Sequence, residues 1–304
     1  MVSRQFGRRM LVLVCLGGLL AGAAPARAED NVIRIGMPTT IFRDIPPTFH
    51  NMAKRPFQAI MKTLVDAKGE IDIVPDPLDV AARLAEGKFD LAVFQGHEFA
   101  WAQSKYPDLI PLVIACQTRD VPMQAMIVVR KDHAATCLGD LSGSKVSFPE
   151  PTRDHCRVFL NREYGNCKAL FADVLTPMTI HDGLEDVIRG KADVTVIDKA
   201  AWESDKLMYS ARINKVKVIA VSEVFPVGVI AYRKGGLTPA LLEKFRDGLV
   251  RVNSDAQGKF LMSQMKLRGF EAPPKDYATQ FAMILKAYPL PKDFLKLTSF
   301  TREK

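Results

Sequence analysis

From residue 32 onward, the hydrophobic positions of the chain alternate between two spacings. Short, nearly continuous apolar runs are typical of buried strands, and apolar residues three or four positions apart are typical of helices. The predicted strands cover residues 32–36, 71–74, 90–94, 109–115, 125–130, 145–148, 193–197, 216–221 and 227–232, with a further strand-like stretch at 177–180. The predicted helices cover residues 54–67, 79–86, 98–105, 154–164, 183–189 and 199–206, and the C-terminal third is also predicted to be helical.

Strands that alternate with helices in this way predict an α/β fold, in which helices flank mainly parallel sheets. In open sheets of this kind, ligands bind beyond the carboxyl ends of the strands. That rule directs attention to five loops, which follow Ile35, Phe94, Phe148, Ile180 and Ile197.

Residues 1–28 have the pattern of a secretory signal peptide. Arginines near the start precede an apolar run over residues 10–24, and small residues stand at Ala26 and Ala28, where signal peptidase requires them. We expect cleavage before Glu29 and release into the periplasm. The 276 residues that would remain of the 304 are more than one compact core usually holds.

The leader also accounts for part of the chain's basic character. The whole chain has 42 basic and 34 acidic residues and a net charge of +8. Removing the leader's four arginines leaves 38 basic and 34 acidic residues, which is a net charge of +4. A mildly positive protein of this kind suits an anionic ligand, and no block of Lys and Arg is dense enough to predict nucleic-acid binding.

Four cysteines follow the leader, at Cys116, Cys137, Cys156 and Cys167. An even number in an exported chain favours disulfides. We predict bridges between Cys156 and Cys167 and between Cys116 and Cys137, with the two other connectivities left open. Each bridge would stabilise the fold by about 3 kcal/mol.

The sequence lacks the motifs of common enzyme classes. It has no GxSxG, Walker A, GxGxxG or CxxC, and His97-Glu98 lacks the second histidine of HExxH because Trp101 occupies that position. We therefore expect neither catalysis nor a cofactor. A metal site is an alternative that no motif supports, and its ligands would be His97, His155, His181 and Asp198.

Several segments, in this order and spacing, resemble the phosphonate-binding family of periplasmic receptors, which is a branch of the type II solute-binding proteins. The first is Leu84-Ala-Glu-Gly-Lys-Phe-Asp-Leu-Ala-Val-Phe94, and residues 184–198 repeat its helix, Gly-Lys and Asp-strand pattern. Residues 125–132 resemble the family's crossing strand, and residues 138–146 resemble the entry to its second lobe. Residues 237–249 resemble its closing helices.

The resemblance implies two lobes that close on a ligand by rotating about a hinge. Lobe one would contain residues 29–127 and 225–304, and lobe two residues 128–224, with crossings near Arg130 and Val224. It also implies a monomer that brings a small polar ligand, of a phosphate or phosphonate type, to an ABC permease in the inner membrane. An alternative is a sensor or assembly partner with the same fold and no permease.

In lobe two, the turn over residues 148–156 leads from a strand into a helix whose N-terminus can bind an anion. Thr152, Arg153 and His155 are therefore candidate ligand-binding residues, although Thr152 could be an ordinary helix cap. Asp154 would repel a dianion, which puts a phosphonate ligand in question.

Two further candidates in lobe two precede helices. His181 follows the strand-like stretch 177–180, and Asp198 ends a predicted strand at a position where the family often places an acid. Asp198 could instead cap the helix that begins at Lys199.

The candidates in lobe one follow the first strand and Phe94. A glycine at the start of a helix lets a ligand approach the backbone N–H groups. These candidates are Thr39, Thr40, Phe42, Gln95, Gly96 and His97, and Arg43 and Glu98 lie in the same two loops. Phe42 could instead belong to the core.

Overall fold

The computed structural model describes residues 32–43, 48, 50–118, 120–164, 171–254 and 256–292. The predicted leader and Cys167 lie outside the described residues. Within those residues, no helix combines the length and the apolar character that a membrane span requires.

The described residues form eleven strands and eleven α-helices, with a few short 3-10 turns. The strands are β1 (Val32–Pro38), β2 (Lys68–Val74), β3 (Leu91–Phe94), β4 (Leu109–Gln117), β5 (Ala125–Arg130), β6 (Lys145–Ser147), β7 (Asp173–Leu175), β8 (Val194–Asp198), β9 (Val216–Val221), β10 (Val229–Arg233) and β11 (Leu267–Glu271). The helices are α1 (His50–Ala53), α2 (Arg55–Val65), α3 (Pro77–Ala85), α4 (Gly96–Lys105), α5 (Asp154–Tyr164), α6 (Ile180–Ile188), α7 (Lys199–Met208), α8 (Ser210–Ile213), α9 (Pro239–Val250), α10 (Ala256–Gln264) and α11 (Tyr277–Ala287).

The strands form two mixed sheets. The first has six strands in the order β11-β4-β10-β3-β1-β2, and the second has five in the order β7-β6-β8-β5-β9. Within the described chain, β10 and β11 oppose the other four strands of the first sheet, and β5 opposes the other four of the second. Because each sheet contains parallel pairs of strands and is flanked by helices, the predicted α/β fold class is confirmed, although antiparallel pairs are at least as numerous as parallel pairs in both sheets.

The two sheets repeat one unit, in which a helix ends at a glycine and the next strand begins after an aspartate. Gly87 and Gly190 follow α3 and α6 with φ of +75° and +69°, a left-handed conformation that glycine adopts without a steric penalty. The carboxylate of Asp90 accepts from the N–H of Arg34 at 2.8 Å, and that of Asp193 accepts from the N–H of Lys145 at 2.7 Å. Each aspartate thus joins its own strand to the neighbouring parallel strand, which explains why the pattern occurs twice in the sequence.

The chain passes between the sheets twice, once between β4 and β5 and once between β9 and β10. The two segments pair with each other through a bridge between Met123 and Phe225, where the Phe225 N–H donates to the Met123 carbonyl at 2.8 Å. The Phe225 ring is buried and packs against His97 of α4 and His155 of α5, with ring centroids 5.5 Å apart in both pairs. Phe225 therefore contacts helices that belong to both sheets.

The predicted disulfide between Cys116 and Cys137 is wrong. Both are free thiols, as is Cys156. Cys116 lies on β4 of the first sheet, whereas Cys137 precedes the turn that leads into the second sheet. Cys156 is packed in the core, and its proposed partner Cys167 is outside the described residues.

Two features of the predicted secondary structure also differ. Residues 177–180 do not form a strand, because Thr179 caps α6 by accepting from the Asp182 N–H at 3.1 Å and Ile180 is already helical. The C-terminal third is not entirely helical, since after the predicted strand β10 it also contributes the edge strand β11 to the first sheet.

Candidate functional site

A cleft of about 480 Å³ lies at the carboxyl ends of β1 and β3 and extends along the first sheet. Most of its wall comes from elements around that sheet, while the second sheet contributes Arg153 and His155 from the start of α5. Its described lining residues include three cationic side chains, Arg43, Arg153 and Lys266, and none with a carboxylate. The cleft therefore offers a positive surface to a ligand.

An ion pair between the two sheets closes one end of the cleft. The guanidinium of Arg43, which follows β1, donates to the Asp154 carboxylate at the start of α5 over 2.6 Å. The Gln95 amide donates to the same carboxylate at 3.3 Å and to the Thr40 carbonyl at 3.1 Å. Because Asp154 is fully buried, its charge is held by these groups and by the helix N-terminus.

A second buried carboxyl group, Glu98, interacts electrostatically with both members of this ion pair. The Thr40 hydroxyl donates to it at 2.6 Å, and the Gln95 N–H donates to its other oxygen at 2.9 Å, which completes a capping box at the start of α4. Burial raises the pKa of Glu98 to about 8, and the charge of Asp154 adds to this, although the hydrogen bond from Thr40 lowers it. Glu98 is therefore mostly protonated at neutral pH.

Arg157 holds the turn that precedes α5. Its guanidinium donates to the carbonyls of Thr152 at 2.9 Å and Glu150 at 2.7 Å, and it lies over the Phe148 ring, 4.7 Å from the centroid. Burial lowers its pKa to about 10, so it stays charged at neutral pH. The Thr152 hydroxyl in this turn is buried and has no hydrogen-bond partner among the described residues.

His155 connects the cleft to Asp198. Its Nε2 lies 2.9 Å from the Asp198 carboxylate, and the Arg153 guanidinium lies 3.8 Å from the same oxygen. Burial alone would raise the pKa of Asp198, but the hydrogen bond and charge of His155, together with Arg153, lower it to about 2. Asp198 also accepts from the Ala200 N–H at 2.8 Å, so it caps α7 as well. The Nδ1 of His155 is buried without a partner among the described residues.

Gly96 and His97 support the cleft from behind. A Cβ at Gly96 would lie 2.2 Å from the Pro226 carbonyl oxygen, so only glycine lets α4 pack against the second crossing segment. His97 is fully buried, and burial lowers its pKa to about 3, with a further contribution from His155. Its ring packs against Trp101 with centroids 5.1 Å apart, which is the arrangement of a core aromatic residue.

The structure thus brings five of the sequence candidates to the cleft wall: Thr40, Phe42, Gln95, Arg153 and His155. Four further candidates lie directly behind this wall: Thr152, Gly96, His97 and Asp198. Thr39 does not line the cleft, and its hydroxyl donates to the Pro75 carbonyl at 3.3 Å.

His181 also lies away from the cleft. It is on α6, where its Nδ1 is 2.5 Å from the Arg212 guanidinium and its ring packs against Tyr209. The sequence indicated a position at the end of a strand, but Thr179 begins the helix before His181 is reached.

Arg43 and Asp154 lie in loops that the sequence singled out, whereas the apolar residues around β11 do not. Arg43 directly follows Phe42, so the rule that ligands bind at the carboxyl ends of strands covers it. The contribution of Met265, Leu267 and Phe270 required the pairing of β11 with β4, which a short strand containing a glycine does not reveal.

The comparison with known structures supports this fold. XAC2383 from Xanthomonas citri bound to ATP superimposes with a TM-score of 0.61 at 15% identity, over 85% of this chain and 97% of that chain. A binding protein component of an ABC phosphonate transporter, PA3383 from Pseudomonas aeruginosa, has a TM-score of 0.59 at 14% identity, over 84% of this chain and 86% of that one. PhnD1 from Prochlorococcus marinus (MIT 9301), in complex with methylphosphonate, has a TM-score of 0.57 at 13% identity, over 86% and 100%.

These structures have the fold of type II periplasmic binding proteins, and their low identity makes the likeness one of fold. No curated protein sequence matches the chain significantly. A family model does match, over residues 50–277, and its description is "ABC transporter, phosphonate, periplasmic substrate-binding protein". Since that match spans more than half of the chain, this protein belongs to the family of periplasmic substrate-binding proteins of ABC phosphonate transporters.

Proposed function

We propose that this protein captures a phosphonate-type oxyanion in the periplasm and delivers it to an ABC permease in the inner membrane. The observation that carries the proposal is the charge of the cleft, whose described lining has three cationic side chains and no carboxylate. The relative PhnD1 was crystallised with methylphosphonate, which is an anion of this class.

The oxyanion would bind between Arg43 and Gln95 on one side and the start of α5 on the other. The start of an eleven-residue helix favours negative charge, and Arg153 adds a half-exposed guanidinium beside it. The buried Thr152 hydroxyl and the His155 Nδ1, which lack partners among the described residues, supply unused hydrogen-bonding capacity at the same place.

The charge of Asp154 limits how much negative charge a ligand at the start of α5 can carry. Its carboxylate already occupies the hydrogen bonds of Arg43 and Gln95, and the Asp198 carboxylate lies 3.8 Å from Arg153, so carboxylates offset part of the cleft's positive charge before a ligand arrives. A singly charged oxyanion that engages Arg153 suits this balance better than a dianion does.

The two crossing segments would act as the hinge between two lobes. We propose one lobe for each sheet, joined at the pairing of Met123 with Phe225. The protein would work as a monomer without catalysis, and residues 1–28 would be a signal peptide that directs the chain to the periplasm.

Isothermal titration calorimetry of refolded, ligand-free protein with methylphosphonate and phosphate tests the proposal. Arg153→Met should weaken binding at least tenfold, because it removes a charge-assisted hydrogen bond. Arg189→Met is the matched control, since Arg189 is an exposed arginine that directly follows α6 and does not line the cleft. The affinity of this variant should stay within twofold of the wild type.

Two results would contradict the proposal. Full affinity in Arg153→Met would place the anion elsewhere. The absence of any heat with either anion, in a protein that is folded by circular dichroism, would rule out the ligand class.

A further inference from the structure

The cleft is larger than a small phosphonate requires. Its volume of about 480 Å³ is in the range of pockets that hold drug-sized molecules, roughly 300–1,000 Å³. Methylphosphonate has a single carbon, so a cleft of this size would remain mostly empty around it.

Much of the remaining space is lined by apolar side chains. Fourteen of the twenty-three lining residues are apolar. We call six of them the apolar wall: Ile41, Met52, Phe57, Met265, Leu267 and Phe270.

Most of the apolar wall is incompletely covered by the protein itself. Met52 is 55% exposed, and Ile41, Phe57, Met265 and Leu267 are each half-buried. Exposed apolar groups that cluster in a concave surface are typical of a binding site, because leaving them in water costs free energy. Methionine side chains can also adjust to ligands of different shape.

The polar and apolar parts of the cleft are separated along the sheet. Gln95 follows β3, whereas Leu267 begins β11, which lies three strand positions away in the order β11-β4-β10-β3. Three strand spacings correspond to about 14 Å. A ligand whose headgroup binds at the start of α5 could therefore extend an apolar chain toward β11.

We infer that the ligand is an amphiphilic oxyanion, namely a phosphonate-type headgroup that carries an apolar substituent of several carbons along the apolar wall. This inference rests on the proposed function and narrows its substrate class. The headgroup contacts are those proposed above, and the apolar wall selects the substituent.

The test is a calorimetric series of methyl-, propyl-, pentyl- and heptylphosphonate with the full-length mature protein. Burial of one methylene group corresponds to about a fourfold gain in affinity. The dissociation constant should therefore fall twofold to fourfold per added methylene, at least as far as pentylphosphonate. Hexanoate should bind at least tenfold more weakly than pentylphosphonate, because a planar carboxylate presents fewer acceptors than a phosphonate.

A variant of the apolar wall tests where the ligand's apolar substituent binds. Met265→Gln replaces an apolar side chain of similar length, and it should reduce the ratio between the dissociation constants of methyl- and pentylphosphonate at least threefold. Met283→Gln is the matched control, because Met283 is an exposed methionine on α11 outside the cleft lining, and it should leave the ratio unchanged.

The outcomes separate this inference from the proposed function. If methylphosphonate binds and longer chains give no gain, the inference is wrong and the proposed function stands. If the gain is present and Met265→Gln does not reduce it, the apolar wall does not hold the substituent. If hexanoate binds as tightly as pentylphosphonate, the headgroup class is wrong. If no member of the series binds, the inference and the proposed function both fail.

Discussion

Glu98 and Asp198 are buried carboxyl groups at the starts of α4 and α7, the helices that follow the repeated unit in the two sheets, yet they are in opposite protonation states. Glu98 lies in the first turn of α4 and accepts from the Gln95 N–H, whereas Asp198 ends β8 and accepts from the N–H groups of Ala200 and Ala201. Both are buried. Nevertheless, the pKa of Glu98 is raised to about 8 and that of Asp198 is lowered to about 2.

The difference lies in the partners. Glu98 has a hydroxyl and an amide N–H as donors and a second carboxylate nearby, so burial dominates. Asp198 has the imidazole of His155 at 2.9 Å and the guanidinium of Arg153 at 3.8 Å, which offset its burial. The comparison shows that the partners of a buried carboxyl, and not burial alone, set its charge. It also places the protonated carboxyl on the side of the cleft where Arg43 is paired, and the ionised one behind Arg153.

The largest expected effect is on the pH dependence of stability. A carboxyl whose folded pKa is about 8 binds a proton that the unfolded chain has released above about pH 4.5, so stability falls as pH rises from about 5 to 8. The slope attributable to Glu98 is up to about 1.4 kcal/mol per pH unit. Urea unfolding at a series of pH values should show this decline in the wild type and a flatter profile in Glu98→Gln.

Asp198 should act in a different window with the opposite sign. Its folded pKa of about 2 means that stability is lost as pH falls from about 4 to 2.

The control for Glu98→Gln is Glu70→Gln. Glu70 is an exposed glutamate on β2, and its removal should keep the wild-type profile between pH 5 and 8. A wild-type profile in Glu98→Gln over that range would contradict the assignment of the slope to Glu98.

Amide substitutions test the same difference at single pH values. At pH 4, where Glu98 is protonated in the folded chain and largely protonated in the unfolded chain, Glu98→Gln should change the free energy of unfolding by less than about 1 kcal/mol. At pH 7 the variant should be more stable than the wild type, because only the wild type must take up a proton on folding. Asp198→Asn removes the charge that His155 and Arg153 face, and it should destabilise the fold by about 2–3 kcal/mol. Chemical denaturation of both variants checks this order, and equal losses would show that burial alone governs the two groups.

The sequence predicted those features of the two sheets that depend on the local pattern of residues. The repeated Gly-Lys and Asp-strand unit indicated β3 and β8, and the rule on strand ends led to Gln95 and to Asp198. Asp198 fits the helix-cap interpretation, since it caps α7, and it contacts His155 without lining the cleft itself.

Contacts between distant segments could not be predicted in the same way. The pairing of Arg43 with Asp154 joins residues 111 positions apart, and Arg157 holds its turn through backbone carbonyls that no side-chain pattern reveals. The apolar wall depends on β11, whose five residues give a weak strand signal. His181 was assigned to the cleft because an apolar stretch before it resembled a strand.

The most direct test of the account is a crystal structure with 6-bromohexylphosphonate, in which the anomalous signal of bromine locates the end of the chain. We expect the phosphonate oxygens within hydrogen-bonding distance of Arg153 and the start of α5, and the bromine beside Met265 and Phe270. A ligand bound outside the cleft, or a headgroup at the apolar wall with bromine near Arg43, would contradict the account.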